Sequence, residues 1–247
     1  MKYKLIGLFF ILQTLILFAC HNQTSPVALE TDISKKNQSI PDTIQSICIW
    51  NGTPVRKTPD RKAKWLTSLN TGEVVLYYGE RKVDSADNNR PYLYVQLSDG
   101  LKGWAPAYGI IQNAAVAVVK AETPMYKRPD LLTITDVIIT PMNIVAISKN
   151  QNEWYEIITE KRKYGGWIHK EKVSFNPEDI AFAALANKKI DYSKPEKTYV
   201  SIQNFLKNNP YPTSLFVNYL KGLASKNNQD IEEDNAENKN QDYYNRH

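Results

Sequence analysis

The sequence predicts a mainly β protein: two copies of one small β domain in tandem, followed by a short α-helical C-terminal segment. The first observation is a duplicated stretch. Thr53-Pro54-Val55-Arg56-Lys57-Thr58-Pro59-Asp60 returns as Thr123-Pro124-Met125-Tyr126-Lys127-Arg128-Pro129-Asp130, so both copies read T-P-x-x-K-x-P-D, seventy residues apart. At that offset Val74-Val75 falls on Ile144-Val145, and each copy later closes on a Gly-Trp-aliphatic step, Gly103-Trp104-Ala105 and Gly166-Trp167-Ile168. Self-similarity at several points of one register marks a repeated structural unit. The second observation is a change of period: up to Phe175 apolar residues alternate, and beyond it they recur at helical spacing.

Composition fits a globular protein with aromatic-rich sheet faces. Of 247 residues, 23% are charged and 42% hydrophobic, with 15 Tyr and 5 Trp against 3 Met. The net charge of +5 is uneven, because residues 227–247 are acidic and the middle of the chain is basic. A basic middle suits an anionic polymer. Met1-Lys2-Tyr3-Lys4, the apolar run from Leu5 to Phe18 and a small residue at Ala19 read as a secretory signal over residues 1–19, too short for a spanning helix. Its ending, Leu17-Phe18-Ala19-Cys20, resembles the lipobox of bacterial lipoproteins. The resemblance implies that Cys20 carries lipid and becomes the first mature residue. With His21 rather than Asp after it, the analogy favours the outer membrane. Residues 20–45 are polar and without apolar period, and are expected to be a flexible tether.

In the first copy, residues 46–112, Cys48-Ile49-Trp50 is a β run stopped by the Asn51-Gly52 turn signal, and Gly72 to Gly79 is the clearest strand. Residues 80–91 read as a polar loop. Tyr92 to Leu97 alternates, which puts Leu93, Val95 and Leu97 on a core face and Tyr92 and Tyr94 on the opposite one. In the second copy, residues 113–175, Val116 to Val119, Ile144 to Ile147 and Trp154 to Ile157 take the corresponding places. Leu131 to Ile139 is unusually apolar for a connection. Asn176-Pro177-Glu178-Asp179 is a helix start with N-cap, N1 proline and first-turn acids. It opens a helical segment over residues 176–226, with stripes at Ile180, Ala184 and Leu185, at Tyr199, Ile202 and Phe205, and at Leu215, Phe216, Tyr219 and Leu220. Residues 227–247, acidic and Asn-rich, are expected to be disordered.

Val55-Arg56-Lys57-Thr58-Pro59, Gly72 to Val75, Tyr92 to Val95 and Gly103-Trp104-Ala105 together resemble the bacterial SH3-like (SH3b) domain, as do Trp154-Tyr155-Glu156-Ile157 and Gly166-Trp167-Ile168. The second copy departs from the pattern at Met125-Tyr126 and Asn143. The resemblance implies two SH3-like barrels in tandem and binding of extended peptides, either peptidoglycan peptides or a segment of an envelope protein.

Domains of this type often accompany cell-wall peptidases with a Cys nucleophile, which draws attention to Cys48 and His169. A small thiol in a strand is more often core, and the other histidines, His21 and His247, lie in the tether and at the end. The expectation is therefore no catalytic residue, no enzyme, no metal site, no cofactor and no nucleic-acid partner. The membrane, through the lipid anchor, and an envelope ligand are the expected partners. Candidate ligand-binding residues are Tyr92, Tyr94, Tyr126, Trp154 and Tyr164. A second reading, in which these rings cover barrel ends or pack between domains, remains open. So does a third, in which the protein is a spacer or scaffold presenting its helices to a partner.

Overall fold

The computed structural model describes residues 43–245. The signal sequence, Cys20 and the tether up to residue 42 lie outside the described residues. The described residues form two seven-stranded antiparallel sheets and three helices. The first sheet contains β1 (Ile44–Cys48), β2 (Thr53–Arg56), β3 (Trp65–Leu69), β4 (Val74–Asp84), β5 (Arg90–Gln96), β6 (Lys102–Pro106) and β7 (Ile110–Gln112). The second contains β8 (Ala115–Val119), β9 (Thr123–Tyr126), β10 (Ile134–Ile139), β11 (Ile144–Gln151), β12 (Trp154–Thr159), β13 (Gly165–His169) and β14 (Val173–Ser174).

The strand orders are β3-β2-β6-β5-β4-β1-β7 and β10-β9-β13-β12-β11-β8-β14, one topology written twice. β4 and β11 hold the same place in separate sheets, as the seventy-residue register requires. Neither sheet closes on itself, so the closed barrels expected from the sequence are not formed. The short strands β7 and β14 end each sheet at one edge while β3 and β10 end it at the other.

The Gly-Trp step has a steric cause. A Cβ on Gly103 would stand 2.6 Å from Val55 Cγ1 and 2.9 Å from the Arg56 carbonyl oxygen. A Cβ on Gly166 would stand 2.8 Å from Met125 Cγ and 2.8 Å from the Tyr126 carbonyl oxygen. In both repeats β2 or β9 therefore crosses directly over a glycine, and the following tryptophan pairs with it: Trp104 opposite Arg56, Trp167 opposite Tyr126. Leu93 and Val95 lie in the first core beside Val55, Val75 and Cys48, and Leu97 packs at its margin, as the alternation predicts.

Several boundaries differ from the sequence reading. β1 begins at Ile44, inside the predicted tether, because its first residues pair with Leu76 and Tyr77. Residues 80–91 are no loop. Gly79, at φ +78°, sits where the register shifts in β4, and beyond this bulge β4 and β5 continue as a charged hairpin arm to Asp84 and Arg90. The apolar stretch from Leu131 is a 3-10 turn followed by β10, an edge strand paired with β9.

Three helices complete the chain: α1 (Pro177–Lys189), α2 (Pro195–Lys207) and α3 (Phe216–Asn245). Asn176 caps α1 by accepting from the Glu178 amide at 2.9 Å. The buried side of α1 is Phe182, Ala183 and Ala186, whereas Ala184 and Leu185 are only half-buried, so the stripe is turned from the predicted one. Phe182 packs against Phe205 and Phe216 at 5.1 and 6.2 Å, and this helical core is continuous with Val118, Met142 and Ile144 of the second sheet. α3 runs on into the segment expected to be disordered. The Asn228 amide donating to Glu232 one turn later, at 2.8 Å, shows the i,i+4 pairing that supports an exposed helix there.

Candidate functional site

The candidate ligand-binding residues fall into three environments. Tyr94 is half-buried on the outer face of β5, with its ring 6.1 Å from Tyr78 and 5.2 Å from Trp104. Two lysines flank this strip: Lys102 Nζ lies 4.4 Å from the centre of the Tyr78 ring and Lys82 Nζ 5.2 Å from that of Trp104. Contact with the Tyr78 side chain raises the Lys102 ammonium above its ordinary value. The Tyr78 hydroxyl is held by Gln96 Oε1. The result is a face on which Tyr78 and Tyr94 are half-buried beside two cations, with Trp104, only 6% exposed, as the ring beneath them. Sequence reasoning did not find Tyr78, Trp104, Lys82 or Lys102. The signal for Trp104 was its Gly-Trp step; Tyr78 shares β4 parity with Leu76, which concealed it.

Tyr92 does not belong to this face. It is 1% exposed and its hydroxyl pKa is pushed up by burial. The loop after β2 folds over it: the Arg61 amide donates to Asp84 Oδ2 at 3.1 Å, and Arg56 Nη1 donates to the Ala63 carbonyl at 2.8 Å. Asp87 bridges Arg90 at 2.9 Å across the same turn.

Trp154 and Tyr126 are likewise internal. Trp154 is 8% exposed, with Tyr126 edge-on at 4.8 Å and the tilted His169 ring at 3.9 Å, these two lying 6.1 Å apart, and Trp167 completes the cluster. Tyr92 and Trp154 are register equivalents, since Tyr92 opposes Pro106 as Trp154 opposes His169. The two repeats differ next to this cluster. Where the first has Tyr78 and Tyr94 side by side, the second has Ser148 donating to Glu156 Oε2 at 2.7 Å, with Glu156 paired to Lys149 at 3.1 Å. The second repeat therefore keeps only the buried ring of the strip, Trp167 in the place of Trp104 with Lys149 Nζ 6.0 Å from its centre, and has no counterpart of Tyr78 and Tyr94. Tyr164 packs half-buried against the second core under Lys163.

Cys48 is fully buried in the first core. Desolvation raises its thiol pKa, and Sγ donates to the Trp50 carbonyl oxygen at 3.4 Å. His169 lies in the other repeat, its ring tilted against Trp154 at 3.9 Å. The structure does not bring this thiol and this imidazole together as a nucleophile and base.

No protein-family model and no curated protein matches the chain. Among solved structures it is similar to NlpC2 from Trichomonas vaginalis, at 17% identity and TM-score 0.24 over 68% of this chain and 57% of that one. It is also similar to NlpC1 from the same organism, at 15% identity and TM-score 0.25, over 68% of this chain and 54% of that one. A third is an NlpC/P60 endopeptidase from Photobacterium damselae subsp. piscicida, at 14% identity and TM-score 0.24, over 59% of this chain and 37% of that one. The chain thus spans about half or less of the length of these proteins. The expectation that it is not an enzyme is corrected by this likeness: the structures it resembles are NlpC proteins, one of them named as an endopeptidase.

Proposed function

We propose that the chain is a lipid-anchored cell-envelope binding module whose two sheets are SH3-like domains, and that the first recognises an extended, carboxylate-bearing peptide. The peptide stems of peptidoglycan are the expected source. The observation that carries this reading is the half-buried Tyr94 between Tyr78 and Trp104, with Lys82 and Lys102 beside the rings. Aromatic rings supply contact area to an extended chain at low entropic cost, and two ammonium groups select a carboxylate over an amine. The second repeat lacks the two half-buried tyrosines of the strip and carries the helices instead. In this reading Cys20 holds the module at the outer membrane and the tether sets its reach.

A scaffold role is the second reading, favoured by Tyr192, Val200 and Tyr219, which are exposed on the helical segment. Co-sedimentation with purified sacculi, set against capture from envelope extract, separates the two. Wall binding predicts that wild type pellets with sacculi and that Tyr94→Ala and Lys82→Glu do not. A scaffold predicts no pelleting, and capture that depends on Val200 rather than Tyr94.

A further inference from the structure

A cavity of about 230 Å³ lies where the two repeats meet, and its lining includes Arg81, Leu93, Ala107, Ile110 and Gln112 of the first and Arg162 of the second. It shares no residue with the Tyr94 strip. Arg81 and Lys82 are neighbours on the arm of β4, opposite Leu93 and Tyr92, so alternation sends Lys82 to the strip's face and Arg81 to the other. The floor is apolar, since Leu93 and Ile110 are core residues.

Two guanidinium groups line this cavity and no acidic side chain does. None of the ion pairs among the described residues includes either arginine. Arg162 is fixed in place by backbone carbonyls: its Nε donates to that of Tyr108 at 3.1 Å and its Nη2 to those of Ile110 and Ala107 at 2.8 and 3.5 Å. Carbonyl oxygens orient the group without neutralising its charge. Burial lowers the Arg162 pKa, and no carboxylate acts against that shift. Like charges lining one cavity repel each other, whereas an anion placed there is attracted to both. A concave site lined by one sign of charge also concentrates the counter-ion.

The geometry narrows the ligand further. Pockets that enclose a whole organic ligand run to roughly 300–1,000 Å³, so a cavity of 230 Å³ suits a small group. The planar fork of N–H donors on a guanidinium matches the paired oxygens of a carboxylate or phosphate. One of the two forks is already held in position, which lowers the entropic cost of binding.

We propose that this junction cavity binds an oxyanion, the carboxylate or phosphate group of a ligand, through Arg81 and Arg162. Because each repeat supplies one arginine, the bound anion bridges the repeats and stabilises their junction. The proposal does not rest on peptide binding by the Tyr94 strip.

The test is calorimetric titration of the purified full chain with sodium phosphate and, separately, with sodium acetate, up to about 20 mM, a range that reaches past millimolar dissociation constants. Ionic strength is held constant with sodium chloride, so that general screening does not imitate binding. Arg81→Gln and Tyr94→Ala are titrated in parallel, and the melting temperature of each protein is followed with and without the anion. Arg81 is exposed and takes part in no ion pair among the described residues, so Arg81→Gln is expected to melt as wild type does without anion. The expected result is saturable binding of at least one anion by wild type, with a rise in melting temperature as the site fills. Binding should be about tenfold or more weaker in Arg81→Gln and unchanged in Tyr94→Ala. Phosphate binding alone assigns the site to a phosphate group, and binding of acetate as well extends it to carboxylates. No binding of either anion, equal binding by wild type and Arg81→Gln, or loss of binding in Tyr94→Ala overturns the proposal.

Discussion

Arg162 Nη2, in the turn between β12 and β13, donates to the carbonyl oxygen of Ile110 at 2.8 Å, so a side chain of the second repeat closes on the backbone of the first. Its Nε also donates to the Tyr108 carbonyl at 3.1 Å, and the neighbouring Lys161 amide donates to the Ile49 carbonyl at 2.8 Å. Both Lys161 and Arg162 have positive φ, a conformation that costs energy in residues other than glycine. Beneath them Ile47, Ile49 and Ile111 pack on Ala114 and Ala146. The two sheets are joined by an apolar seam and a polar clasp.

Arg162→Ala is predicted to lower stability by about 2 kcal/mol, the scale of hydrogen bonds from a charged donor to backbone carbonyls left without partners. Urea unfolding followed by tryptophan fluorescence reads it. A change below about 0.5 kcal/mol means the clasp contributes nothing to the junction.

Gly103→Ala and Gly166→Ala each insert a methyl where less than 3 Å is free. Each is predicted to cost about 1–3 kcal/mol by overpacking, with a matching fall in melting temperature. Gly52→Ala is the informative control: no atom lies within 4 Å of the position its methyl would take, but its φ of +77° leaves a purely conformational cost. That cost is about 1 kcal/mol.

Much of the fold was legible in the sequence, and what was not has definite causes. The duplicated T-P-x-x-K-x-P-D stretch and the Gly-Trp step located the repeats because one steric relation, a strand crossing over Gly103 or Gly166, is needed twice. Alternation placed Leu93 and Val95 correctly in the core. It could not place Tyr92, since period two tells which residues share a face and not whether a second layer covers that face. Here Arg61 and Asp84 bring a loop across it. The same limit hid Trp154 beneath Tyr126 and His169. β10 was missed because an edge strand exposing Ile134 and Ile138 has the composition of a core strand in a place where a connection was expected.

Asp179 is 3% exposed and accepts from Ser174 Oγ, Ser214 Oγ and the Leu215 amide at 2.7, 2.9 and 3.0 Å. It ties the start of α1 to the residues leading into α3. Asp179→Ala leaves these three donors without their acceptor and is predicted to cost about 3 kcal/mol. Hydrogen exchange should show the loss concentrated in α1 and α3, and uniform loss across both sheets would contradict the assignment.

Cys48, with its thiol pKa raised by burial, is predicted to resist alkylation in the native protein and to react at once in denaturant. The folded state keeps the proton more tightly than the unfolded state, so the thiol's contribution to stability is full below its ordinary value and is lost as pH rises past that value toward the folded one. Cys48→Ala should flatten that alkaline decline, and an unchanged slope assigns the decline to other groups.

Recognition of a carboxylate-bearing peptide by the Tyr94 strip of the first repeat is tested by titrating the purified full chain with a synthetic, sugar-free peptidoglycan stem peptide, comparing wild type with Tyr94→Ala and with Trp154→Ala. The predicted result is binding by wild type, about thirtyfold weaker in Tyr94→Ala at an unchanged melting temperature, because truncating a well-packed aromatic anchor costs about 2 kcal/mol. Trp154→Ala, by contrast, should lower the melting temperature, since that ring is internal. Equal affinity in wild type and folded Tyr94→Ala, or no binding by wild type, would contradict the peptide-binding role.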